Sequence, residues 1–134
     1  MAKAKIIHEV GKRKIAVARA TLKPGKGIVR INSKPLELWG PRYLVEKIKE
    51  PLYLAGSIAK KVDIEVNVRS GGISAQADAI RTAIGRALAA YGGEKIKRMF
   101  LEYDRTLLVP DMRQNEPWKA GRSKPRAAAQ KSKR

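Results

Sequence analysis

Residues 62–73 read VDIEVNVRSGGI, and the interpretation of this stretch decides the fold. Val62, Ile64, Val66 and Val68 alternate with Asp63, Glu65, Asn67 and Arg69, the period-two pattern of a strand with one dry face and one wet face. Gly71-Gly72 breaks the alternation. From Ile73 onward the period lengthens: Ile73, Ala77, Ile80, Ile84, Leu88 and Tyr91 recur at helical spacing until Gly92-Gly93. A change of period across two glycines marks a strand, a turn and a helix.

Upstream, KIAVARATLK (14–23) sets Ala16, Ala18, Ala20 and Leu22 on one face, with Ile15, Val17, Arg19 and Thr21 on the other, as in a strand covered on one side. Pro24-Gly25-Lys26-Gly27 is turn chemistry and GIVRIN resumes as a strand, so 14–32 is expected to form a hairpin. Pro41 can open a helix with Leu44, Val45 and Ile48 on one side; Pro51 should end or kink it, with PLYLAG restarting until Gly56. Downstream, Ile96, Met99, Phe100 and Tyr103 mark another helix, and Leu107-Leu108-Val109 reads as a short final strand before Pro110. The expected fold class is α+β, an α/β sandwich with helices on one face of the sheet.

The 134 residues carry 30 Lys and Arg against 12 Asp and Glu, for a net charge of +18. So large a surplus repels itself in a compact state and calls for a polyanion. Nucleic acid is the leading partner class and an anionic membrane surface the second. No stretch approaches the ~20 apolar residues of a membrane span. The N-terminus has no apolar run of signal-peptide length, so the protein is expected to stay in the cytoplasm. Cysteine is absent, so disulfides and thiolate metal sites are excluded.

Catalysis finds no support. His8 is the sole histidine, and His8-Glu9 lacks the second histidine of a zinc-protease helix. Asp63 and Glu65 share a strand face, but two carboxylates are too few oxygens for a cation site. Gly25-Lys26-Gly27 lacks the rest of a phosphate loop. No cofactor motif is present. Gly71-Gly72 could bring backbone N–H groups to a phosphate; the plainer reading, a sharp turn with Ser74 as helix cap, is preferred.

Two basic segments carry the binding argument. Lys12, Arg13 and Lys14 enter the first expected strand, Arg19 and Lys23 continue the charge along it, and such residues clamp phosphates without reading bases. Residues 113–134 hold eight bases and one acid, Glu116, with no apolar periodicity. The chain therefore divides into a globular domain, 1–112, and an extended basic C-terminal tail, 113–134. At full extension the tail spans roughly 70–80 Å, against a radius of gyration near 13 Å for a body of this size. Its bases are Arg113, Lys119, Arg122, Lys124, Arg126, Lys131, Lys133 and Arg134, spaced by small residues that let it slide between phosphate backbones.

In order and spacing, these residues resemble the universal small-subunit ribosomal protein nine family. The motifs are Gly11-Lys12-Arg13-Lys14 with Ala16, Ala18 and Arg19; Gly71-Gly72, Gln76-Ala77, Ala79-Ile80-Arg81 and Arg86-Ala87-Leu88; Tyr103-Asp104-Arg105, Asp111, Arg113 and Glu116-Pro117; and Gln130-Lys131-Ser132 with Arg134. Glu50-Pro51-Leu52 and Leu54-Ala55-Gly56 look like the archaeal and eukaryotic branch. The resemblance implies a four-stranded sheet backed by helices, similar to the second domain of ribosomal protein S-five, with a left-handed crossover. It implies a non-enzymatic place in the small-subunit head, beside other head proteins, with ribosomal RNA and P-site tRNA as partners. Lys12, Arg13, Lys14, Arg19 and the bases from Arg113 to Lys131 become ribosomal RNA contacts. Ser132, Lys133 and Arg134 become tRNA contacts. Lys133 stands where archaeal-type members usually have tyrosine.

Overall fold

The computed structural model describes residues 5–127. Five strands form one mixed sheet: β1 (Ile7–Arg13), β2 (Ala16–Pro24), β3 (Val29–Ile31), β4 (Lys34–Pro35) and β5 (Val62–Arg69). Three α-helices complete it: α1 (Arg42–Ala55), α2 (Ile73–Gly92) and α3 (Glu94–Tyr103). The sheet order is β1-β2-β5-β3-β4, with β3 parallel to β5 and the other neighbours antiparallel.

The alternation in 62–69 is realised residue for residue. Val62, Ile64, Val66 and Val68 are buried, as are Ala16, Ala18, Ala20 and Leu22 beside them on β2. Their partners on the other face, including Arg19, Lys23, Glu65 and Arg69, are exposed. The helices cover the buried face, with Ile80, Ile84, Leu88, Ile48 and Phe100 fully enclosed against it. Glycines close the helices: Gly56 (φ 60°) follows α1, and Gly93 (φ 79°) ends α2 and leads into α3.

The structure corrects several expectations. The sheet has five strands rather than four. Residues 14–32 do not form a hairpin: β2 pairs with β1 and β5, and β5 lies between β2 and β3. The reason is long-range. The Asp63 carboxylate accepts the backbone N–H groups of Lys26, Gly27 and Ile28 (2.9, 3.2 and 3.0 Å), and Gly25 donates to the Lys61 carbonyl (2.9 Å). These bonds steer the chain past β2 to the far side of β5. The real hairpins are β1–β2, turning at Lys14-Ile15, and β3–β4, turning at Asn32-Ser33. Asn32 (φ 50°) and Ser33 (φ 69°) both have positive φ, the signature of a type I′ turn. The Asn32 side chain then continues the β3 ladder, accepting from the Val68 N–H (2.9 Å) and donating to its carbonyl (3.3 Å).

α1 runs through Pro51, which is buried inside it, instead of ending there. Gly72, not Ser74, occupies the cap position of α2, without a side-chain cap bond. Residues 105–107 form a 3-10 turn and 107–109 do not form the expected strand; Leu107 is buried, and its carbonyl lies 2.5 Å from where a Cβ on Gly85 would sit.

β1 packs on the backbone of α2 at Gly11. A Cβ on Gly11 would overlap the Ala79 carbonyl oxygen and lie 2.6 Å from the Ala83 nitrogen. Both are helix backbone atoms with no room to yield. Substituting Gly11→Ala should therefore lower the unfolding free energy by about 2–3 kcal/mol, measured by urea denaturation followed by circular dichroism.

Candidate nucleic-acid interface

Strand alternation splits the Lys12–Lys14 cluster. Lys12 lies on the uncovered face of the sheet, Lys14 sits at the hairpin tip in a left-handed conformation (φ 55°), and Arg13 points toward the helices. On the uncovered face Lys12 and Arg69 flank Val17 across two neighbouring strands, and Arg19 stands two residues along β2. Lys12, Lys14, Arg19 and Arg69 are all exposed, and none makes an ion pair among the described residues. Arg69 was missed as a site residue by sequence reasoning. Its outward place in the 62–69 alternation was the available signal.

Arg13 is occupied differently. Its side chain is only 15 % exposed and lies 3.7 Å from Asp78 of α2 and 3.8 Å from Asp111. Its guanidinium also donates to the Arg113 carbonyl at 2.8 Å. Arg13 thus ties the end of β1 to α2 and to the chain segment at 111–113. Asp78 also pairs with Lys47 of α1.

One turn along α2, Arg81 extends this network. Its side chain is 8 % exposed and donates to Glu50 (2.5 and 3.1 Å), Asp104 (3.1 Å) and the Thr106 hydroxyl (3.0 Å). Burial alone would raise the Asp104 pKa. The Thr106 N–H and hydroxyl, then Arg81, outweigh it and hold the carboxyl below its ordinary value. Hydrogen bonds from the Arg113 side chain, then its N–H, hold Asp111 well below the usual carboxylate range. Together these groups line a cleft of about 500 Å³ in which four acids face five bases. Four of the bases, Arg13, Lys47, Arg81 and Arg113, pair with the four acids, so the cleft is internal glue between helices and the 104–113 segment, and Lys12 stands at it without an ion pair among the described residues.

Past Arg113 the described chain, to residue 127, forms neither helix nor strand. Lys119, Arg122 and Lys124 are exposed there. Arg113 and Arg126 are exposed too, each holding an acid: Asp111 (2.7 Å) and Glu116 (2.5 Å). Lys131, Ser132, Lys133 and Arg134 lie outside the described residues. Among the described residues no group of His, Asp and Glu is arranged to hold a metal ion, and no helix is long and apolar enough to cross a membrane.

Residues 11–134 match the family described as ribosomal protein S9/S16. The chain belongs to that family. Its curated relatives include small ribosomal subunit protein uS9 of Methanococcus maripaludis, 50% identical over 131 residues that cover 96% of this chain and 98% of the relative. The uS9 of Methanococcus vannielii is 51% identical over the same shares, and that of Thermoplasma acidophilum 54% identical over 123 residues, 91% of this chain and 95% of its own. The chain is an archaeal-type member of a structural, non-enzymatic family. Gly11, where the match begins, sits against the α2 backbone, so the start of the matched stretch serves packing in this chain.

The Arg81 network has a pH signature. Asp104 keeps its proton off in the folded state at pH values where the unfolded chain takes one up, so the contribution is present above about pH 4 and is lost as pH falls below it. Arg81→Met should lower stability by about 2–3 kcal/mol at pH 7, at the low end for a broken buried pair because both carboxylates remain partly in water. The difference from the unsubstituted protein should shrink toward pH 3, as measured by denaturant unfolding across pH.

Proposed function

We propose that this protein is a structural component of the small ribosomal subunit, seated in the subunit head in the cytoplasm, and that it takes part in translation without catalysing a reaction. The observation that carries this reading is about 50% identity, along almost the whole chain, to proteins named small ribosomal subunit protein uS9. In this reading residues 1–112 form the ribosomal RNA-binding body and 113–134 a basic tail. Lys12, Arg19 and Arg69 on the uncovered sheet face and Lys14 at the hairpin tip meet phosphates, none of them making an ion pair among the described residues. Arg13 works from inside, holding the segment from which the tail departs.

Arg113, Lys119, Arg122, Lys124, Arg126 and Lys131 then follow ribosomal RNA, with phosphates displacing Asp111 and Glu116 from the exposed faces of their arginines. Ser132, Lys133 and Arg134 reach the P-site tRNA, Arg134 supplying a phosphate contact. Neighbouring head proteins are the remaining partners, and no cofactor is required. Net charge of +18 supports a polyanionic partner.

Two measurements test this reading. The protein should co-sediment with small ribosomal subunits, and recovery only in the soluble fraction would count against it. Ribosomes carrying a chain truncated after Lys131 should assemble normally but release P-site tRNA several-fold faster at low salt. Unchanged release would remove the tail from the tRNA.

A further inference from the structure

The bases gathered near Lys14 occupy one end of the sheet. The opposite end carries a second group that the reading above leaves unused: Lys23 at the end of β2, Lys26 in the following loop, and Lys60 and Lys61 just before β5. We propose that these four lysines form a second phosphate-binding surface, which grips a segment of RNA separate from the one held at the Lys12 end. This rests on the RNA-binding reading and adds a second, independent surface to it.

The group is assembled by backbone bonds rather than by chance proximity. Lys23 lies opposite Asp63 in the β2–β5 register, and Asp63 fastens the Lys26 and Gly27 N–H groups. Gly25 donates to the Lys61 carbonyl. Gly27 (φ 94°) rests on the 59–61 turn so closely that a Cβ there would lie 3.2 Å from the Lys60 Cα. The loop and the turn are therefore one pinned platform, and less ordering entropy is lost when a ligand settles on it. All four lysines are exposed and make no ion pair among the described residues. Asp63, the carboxylate opposite Lys23 in the register, has its charge stabilised by the N–H groups of Ile28, Lys26 and Gly27 and is directed into the loop backbone.

Geometry separates this surface from the first. From Arg19, the base of the first surface nearest along β2, to Lys23 is four residues, roughly 13 Å. Between the two ends the uncovered face is nearly neutral, because Thr21, Glu65 and Arg30 share one row across β2, β5 and β3. Two positive regions divided by a neutral band suit two RNA segments, and a rigid sheet between them fixes their spacing. Lysine ammonium groups on such a platform act as point charges on phosphate and give affinity without base selectivity.

The test uses the full chain and the variant K23Q/K26Q/K60Q/K61Q, with K12Q/R19Q/R69Q as the control at the other end. Binding to small-subunit ribosomal RNA of Methanococcus maripaludis is measured from 50 to 200 mM KCl. The lysine variant should keep its thermal unfolding midpoint and lose at least two phosphate contacts, reducing the salt slope by about 1.4–1.8. In a second assay an immobilised 20-base-pair RNA duplex captures a fluorescent copy through the protein. The lysine variant should bind the immobilised duplex and capture several-fold less of the copy. An unchanged slope, or unchanged capture, overturns the second surface while leaving the first intact if K12Q/R19Q/R69Q weakens binding. Loss of binding only to vesicles of phosphatidylglycerol and phosphatidylcholine would assign the lysines to a lipid surface and overturn the proposal. If the unsubstituted protein binds no RNA, the proposed function itself fails.

Discussion

The backbone contact between β1 and α2 at Gly11 sets the terms for everything around it. A helix meets a sheet at this distance only where side chains are missing or small. Gly11 faces the backbone at Ala79 and Ala83, and Ala16, Ala18 and Ala20 line the buried face of the next strand. With β1 pressed onto the helix, Arg13, two residues further along the same face, is delivered to Asp78. The same guanidinium reaches Asp111 and the Arg113 carbonyl. A packing constraint thus becomes an electrostatic tether that holds the 111–113 segment against β1 and α2.

That arrangement gives α2 two faces with different duties. Its apolar face closes the core through Ile80, Ile84 and Leu88. Its polar edge, Asp78 and Arg81, gathers α1, the 104–106 turn and the 111–113 segment into one network of ion pairs. Because these acids are used internally, the exposed surface of the body is left with mostly unpaired bases. The charges are therefore partly sorted: Glu50, Asp78, Asp104 and Asp111 hold the fold together with Arg13 and Arg81, while Lys12, Lys14, Arg19 and Arg69 face outward.

Much of this was legible in the sequence, and the failures have physical causes. The 62–69 strand and α2 were readable because a half-buried strand and a core helix each show their own period. β1 was not, since its inward positions are Ile7, Glu9, Gly11 and Arg13, and only the first looks apolar. The false 14–32 hairpin came from local turn chemistry that was correct as a turn; its partner was chosen by Asp63, far along the chain. β4, two residues long, is too short for any periodicity. On the surface, Lys12 and Arg19 could be seen as outward bases. The withdrawal of Arg13 into the Asp78 and Asp111 pair could not, because it depends on register and on acids at great sequence separation.

The central claim is that Arg13 fixes the departure of the basic segment from the body. The chain has no cysteine, so spin labels can be placed singly at Lys95→Cys on α3 and Asn115→Cys beyond the tether. Pulsed electron–electron spin resonance on the free protein then reports the distribution of distances between them. With Arg13 present the distribution should be narrow, and in Arg13→Gln it should broaden severalfold while the thermal unfolding of the body is little changed. Equally wide distributions in both proteins would contradict the tether.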